Sequence, residues 1–240
     1  VERSDFVILL DRSGSMQTRQ ADHEGGLRSF VRDLRDLAGD VRLTFVRFDT
    51  EDPCEVVFEA VPMPQVDLDL LTLRPRGGTP LLDAVGAVLT RFAKLSNVVT
   101  CLIITDGEEN SSRKWTKKAV QELVQQREGE GWKLLYLGAN VDEFAEAQQL
   151  GISAGASMGY SGAHGQTVTA AYTAFLSNTR AAYTARNAGA DWTTSRTSMD
   201  WTNKQRLEAT NLNVTNTTQS TSSDGSKGKG DAGVPSGAGS

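Results

Sequence analysis

Three short segments of this chain carry oxygen-bearing side chains where a hard cation would need them. Asp11-Arg12-Ser13-Gly14-Ser15 closes an apolar run, Gly77-Gly78-Thr79-Pro80 opens a run with helical spacing, and Thr105-Asp106-Gly107 ends a second apolar run. Ser13 and Ser15 stand two apart just past a strand, so both hydroxyls turn toward one point above the sheet. Thr79 brings a third hydroxyl from a separate loop, Pro80 suits the first turn of a helix, and Gly77 and Gly78 let the backbone pass close to an ion. Magnesium takes hard oxygen ligands and keeps several waters. Asp-x-Ser-x-Ser recurs by chance in many chains. The information lies in its coincidence with two further segments, each placed at a strand end or a helix start.

The elements that must position these groups are legible from periodicity. Residues 6–10 and 98–105 are continuous apolar runs, the pattern of strands covered on both faces. Leu27, Phe30, Val31, Leu34 and Leu37 predict a helix from about residue 24, stopped by Gly39-Asp40, with Asp22, His23 and Glu24 ahead of it as caps or rim groups. Residues 41–48 and 54–60 predict two strands joined by a turn short enough to make them antiparallel, which puts the second at a sheet edge. A helix over 81–93, a helical stripe through Trp115, Ala119, Leu123 and Val124, and a strand over 132–137 follow. A short helix over 142–150, an edge strand over 156–160 and a closing helix over 167–185 complete the set. The alternation predicts an α/β fold: a doubly wound, mostly parallel central sheet flanked by helices, with one antiparallel edge strand. Such sheets bind ligands outside the carboxyl ends of their strands, where Asp11 and Asp106 both fall.

Bulk properties narrow the function. A chain of 240 residues with 38% apolar content suffices for one α/β domain, expected over residues 1–188. Residues 189–240 turn to Thr, Ser, Asn and Gly and read as a disordered tail, in which Trp192 and Trp201 are either anchors to the domain or to a partner, or incidental. A net charge of −5 speaks against a nucleic-acid partner, and no apolar stretch reaches membrane-spanning length. No leader-like segment opens the chain, although without an initiator Met a trimmed one is left open. Cys54 and Cys101 read as small core residues rather than a disulfide framework. His23 and His164 are the only histidines, and Gly159-Tyr160-Ser161-Gly162 lacks the final glycine of a hydrolase nucleophile turn. Ser13, two residues after Asp11, stands where an aspartyl-phosphate enzyme needs a second carboxylate, and no phosphate-cradling glycine loop is present.

Taken together, the three segments resemble the metal-ion-dependent adhesion site of the von Willebrand factor A family, over roughly the first three quarters of the chain. The resemblance implies a metal site made by Asp11, Ser13, Ser15, Thr79 and Asp106. Its three hydroxyls bind the ion directly or through water, and its two aspartates hold waters or hydroxyls in place. It implies magnesium, with manganese as the alternative, and an open coordination position completed by an Asp or Glu carboxylate of a protein partner. The implied function is metal-dependent protein binding, not catalysis. Residues 106–116, from Asp106-Gly107-Glu108-Glu109-Asn110 to Trp115-Thr116, are similar to stand-alone bacterial and phage members of the family. So are residues 132–140, together with Thr167 and Ala170-Ala171-Tyr172. That similarity implies a cytoplasmic protein of a bacterium or phage-infected bacterium, with an AAA+ ATPase as a partner class. Two other readings remain: a metal-dependent hydrolase with Glu108 or Glu109 as general base, and a structural component of a phage particle tethered by the tail.

Overall fold

Eight consecutive buried residues make the first strand, β1 (Ser4–Asp11), and seven more make β4 (Val99–Thr105), so both lie where a sheet is covered on each face. The structure is a computed structural model that describes residues 3–37, 39–96, 98–139, 143–161 and 165–210. Between β1 and β4 come α1 (Gln20–Leu34), β2 (Val41–Phe48), β3 (Glu55–Pro62) and α2 (Leu81–Arg91). After β4 come α3 (Lys117–Gly129), β5 (Trp132–Ala139), α4 (Glu143–Gln149), β6 (Ser157–Tyr160) and α5 (Gly165–Asn187). Two short helices, α6 (Trp192–Ser195) and α7 (Asn203–Thr210), end the described chain.

The six strands are ordered β3-β2-β1-β4-β5-β6, and every pairing is parallel except β2 with β3. This is the doubly wound, mostly parallel α/β sheet with one antiparallel edge strand. From β1 the chain winds outward through α1 to β2; from β4 it winds the other way through α3 to β5. Right-handed crossovers in opposite directions put α1 and α3 on opposite faces. In agreement, α1 packs with α5 and α2 packs with α3. The strand order reverses between β1 and β4, so their carboxyl ends flank the crevice in which such sheets hold ligands.

Several expectations need correction. α1 starts at Gln20, earlier than residue 24, so Asp22, His23 and Glu24 lie inside the helix, and Leu37 lies beyond its end. His23 is fully buried, its Nε2 2.8 Å from the Tyr160 hydroxyl, and does not face the rim. Trp115 precedes α3 and packs on α2 at Gly86, where an added Cβ would lie 2.3 Å from the indole. His164 lies outside the described residues.

The largest correction concerns the chain after residue 189. Through Thr210 it is folded onto the domain, so a tail beginning at 189 is wrong for that stretch; residues 211–240 lie outside the described residues. Trp201 is 3% exposed, its ring 5.8 Å from that of Phe175, and its backbone N–H donates to the Gly155 carbonyl at 2.9 Å. Trp192 donates from Nε1 to the Gly131 carbonyl at 2.7 Å and packs edge-on against Tyr183. Arg206 of α7 donates to the carbonyls of Ala154, Gly155 and Ser157, capping the end of the sheet at β6. Composition missed these helices because they are short and polar, yet their starts are written locally. Asp191 accepts from Thr193 and Thr194 N–H groups, and Thr202 with Gln205 forms a reciprocal capping box.

Candidate metal centre

Asp11 is the last residue of β1 and Thr105 the last of the neighbouring β4, so parallel pairing brings them side by side. The buried Asp11 carboxylate accepts from the Ser13 N–H at 2.7 Å and from the Thr105 hydroxyl at 2.6 Å. The first bond folds the chain back immediately after the strand and turns Ser13 over the sheet end. A 3-10 turn, Gly14–Arg19, then carries Ser15 to the surface. The Ser13 and Ser15 hydroxyls lie 3.0 Å apart, and the Ser15 hydroxyl donates to Asp106 at 2.6 Å. Two chain segments separated by 91 residues thus meet through side-chain oxygens.

The second loop is fastened to the first by backbone. Gly14 N–H donates to the Gly77 carbonyl at 3.0 Å and Arg76 N–H to the Arg12 carbonyl at 2.7 Å. Gly77 adopts φ +66°, a left-handed conformation that suits glycine, and an added Cβ there would meet the Thr50 hydroxyl at 2.4 Å. Thr79 is buried, its N–H given to Asn110 Oδ1 at 3.0 Å, while Asn110 N–H returns a bond to the Thr79 carbonyl. Its hydroxyl points at the Asp106–Gly107 turn: a Cβ on Gly107 would lie 2.9 Å from Thr79 Oγ1 and 3.7 Å from Ser15 Oγ. The five predicted residues are therefore gathered at one place, the carboxyl ends of β1 and β4.

Electrostatics at this place are dominated by burial of acid. Burial pushes the Asp11 carboxyl up to about 6, against the bonds from Thr105 and Ser13, with the Asp106 charge adding to the rise. Burial also raises Asp106, opposed by the Ser15 bond and the nearby Arg19. The donors are all hard oxygens, and among the described residues no group of three or more His, Cys, Asp and Glu side chains could hold a metal. That set fits a magnesium- or manganese-type ion that keeps waters, and does not fit a soft, fully protein-ligated site.

Two residues organise the site in ways that sequence reasoning missed. Asp49, fully buried at the end of β2, accepts from the N–H groups of Glu51 and Asp52 and pairs with Arg12 at 2.5 Å and Arg76 at 2.7 Å. One carboxylate thus ties the Ser13 loop and the Gly77 loop to the β2–β3 turn. Although burial raises its carboxyl, the Arg76 bond and these N–H groups bring it below the ordinary value. Glu109, a general-base candidate in the hydrolase reading, accepts from the Leu82, Ser111 and Ser112 N–H groups and from the Ser112 hydroxyl, at 2.7–2.9 Å. Leu82 lies in the first turn of α2, so this carboxylate caps that helix from another loop and complements its dipole. Glu108 is exposed. A Glu-Asn-Ser-Ser run after the strand-end aspartate was a visible capping signal, but its target helix is not local.

By sequence, the chain matches no family model and no curated protein. Solved structures do share its fold. A pilus adhesin, SpaC from Lactobacillus rhamnosus GG in an open conformation, superposes with a TM-score of 0.60 at 14% identity, covering 76% of this chain and 30% of that one. Proximal thread matrix protein 1 from the mussel byssus superposes with a TM-score of 0.57 at 13% identity over 73% of this chain and 46% of that one. A second structure of that mussel protein carries a zinc-occupied MIDAS motif (TM-score 0.54, 16% identity, 73% and 48% coverage). A von Willebrand factor type A protein from Catenulispora acidiphila superposes with a TM-score of 0.54 at 14% identity over 75% and 43%. This chain spans less than half the length of each. With its strand order, its helices and the shared superpositions, the described domain has the fold of von Willebrand factor A domains.

Proposed function

We propose that this chain is a divalent-metal-dependent protein-binding module, in which Asp11, Ser13, Ser15, Thr79 and Asp106 hold magnesium or manganese and a partner's Asp or Glu carboxylate completes the metal's ligands. One observation carries the reading: the hydroxyls of Ser13, Ser15 and Thr79 and the Asp106 carboxylate face a common point at the sheet's switch in strand order. When bound, the ion supplies a positive charge that neutral hydroxyls leave largely unquenched, and so attracts a carboxylate. The zinc-occupied motif of the mussel protein, on the same fold, supports a divalent ion at this position. Binding rather than turnover is supported by Glu109, whose two oxygens are committed to four donors and so are poorly placed to activate water. The family resemblance makes an AAA+ ATPase the partner class to test first and the bacterial cytoplasm the compartment. No helix among the described residues is long and apolar enough to cross a membrane.

The test is titration calorimetry with magnesium and manganese, followed by capture of partners with and without chelator. Wild type is expected to bind metal, and Asp106→Asn to bind it about 10- to 100-fold more weakly. Partner capture should vanish with chelator. Absence of heat and of thermal protection at millimolar metal would remove the proposal.

A further inference from the structure

A pocket of about 260 Å³ adjoins the metal loops, between Thr50, Glu51 and Pro53 of the β2–β3 turn and Ser111, Arg113 and Lys114 of the β4–α3 loop. It shares a wall with the candidate metal centre. Thr50 Oγ1 accepts from Gly78 N–H at 3.2 Å, Pro80 in the pocket follows Thr79, and Ser111 follows the Asn110 that holds Thr79. Two acidic residues also line the pocket, and both are committed. Asp83 accepts the N–H groups of Arg113, Lys114 and Trp115 at 2.8–2.9 Å, and Glu51 pairs with Arg76 at 2.8 Å. The Asp83 bonds fix the main chain that carries Arg113 and Lys114 while their side chains stay exposed. Neither cation has an ion-pair partner among the described residues.

We infer that this pocket is a second carboxylate subsite for the same partner, seating a further Asp or Glu at Arg113 and Lys114 when the first occupies the metal. The inference rests on the metal-dependent reading above and adds the partner's chemistry: a segment with two acidic residues a few positions apart. The fixed backbone under these two cations makes the subsite ready before binding.

The test uses fluorescein-labelled Gly/Ser peptides bearing one Asp, or two Asp separated by one to three residues, with anisotropy read in magnesium and in chelator. With wild type, the best two-Asp peptide is expected to bind about fivefold more tightly than the one-Asp peptide, and only with magnesium. In Arg113→Ala/Lys114→Ala that ratio falls to about one, and in Arg113→Glu/Lys114→Glu it inverts; a magnesium-induced rise in Tm verifies that each variant is folded with its metal site formed. If both peptides bind with magnesium but equally, or the ratio survives the double substitutions, the subsite is wrong while the metal reading stands. If neither peptide binds in a magnesium-dependent way, the metal reading fails and the subsite with it.

Discussion

Asp11 and His23 titrate in the same pH range with opposite consequences, so each must be read against its own variant. Burial lifts Asp11 from 3.8 to about 6, so in the metal-free protein its ionisation is a penalty present above pH 6 and relieved as pH falls toward 3.8. His23 is lowered from 6.5 to about 4 by burial, with the Arg19 charge adding. Its neutral form is what the fold holds, so stability is lost as pH falls from 6.5 through 4, by about 3 kcal/mol. Denaturant titrations at pH 7 and pH 4.5 are expected to show a smaller acid loss in His23→Phe than in wild type. Protons and metal compete at Asp11, so magnesium affinity should drop about tenfold per pH unit below 6. Calorimetry between pH 5 and 8 checks this, and a flat profile would place the metal elsewhere. Asp11→Asn keeps an acceptor for Ser13 N–H, and the Thr105 hydroxyl has the Gly107 carbonyl at 3.1 Å as an alternative. That variant should fold with undiminished Tm in chelator and lose the magnesium-induced rise.

At the scale of elements, the site depends on how the start of α2 is held. Glu109 and Asp83 exchange bonds between the β4–α3 loop and the first turn of α2, and Asn110 exchanges two with Thr79. Thr79 is thus placed by a loop about 30 residues away rather than by its own helix. Glu109→Ala strands three buried or half-buried N–H groups and is expected to cost about 2 kcal/mol in denaturant unfolding. It should also weaken magnesium binding, although Glu109 touches no candidate ligand oxygen. Glu109→Gln keeps one acceptor and should recover part of both. A Glu109→Ala protein of wild-type stability would show that the cap is ornamental. Asp49 works the same way on the other side, binding Arg12, Arg76 and the β2–β3 turn together.

For the whole molecule, the question is where the folded unit ends. Met199 and Trp201 are buried against α5, Asn178 donates to the Asp200 carbonyl at 3.1 Å, and Lys133 pairs with Asp200 across the sheet's end. Residues 190–210 therefore complete the core rather than trail from it. Trp201→Ala is expected to cost about 3–5 kcal/mol, from lost burial and the cavity left beside Phe175. Truncation after Gly189 should expose Phe175, Tyr183 and the β6 carbonyls, giving a destabilised, aggregation-prone protein in thermal melts and size-exclusion runs. A truncated protein with wild-type Tm would restore the boundary near 188.

The sequence by itself determined the sheet and the segments of the candidate site, because both are written in short-range patterns. Unbroken apolar runs fix buried strands, helical spacing fixes the layers, and Asp11, Ser13, Ser15, Thr79 and Asp106 stand at the ends those elements create. Tertiary structure alone decided which partners the remaining polar groups took. Whether Glu109 caps a helix or faces solvent, whether His23 lies at a rim or between two tyrosines, and whether Trp201 is buried all depend on residues distant in sequence. Local propensity carries no information about those neighbours: a buried polar group takes whatever donor the packed fold puts within reach, and that is known only once the layers have closed.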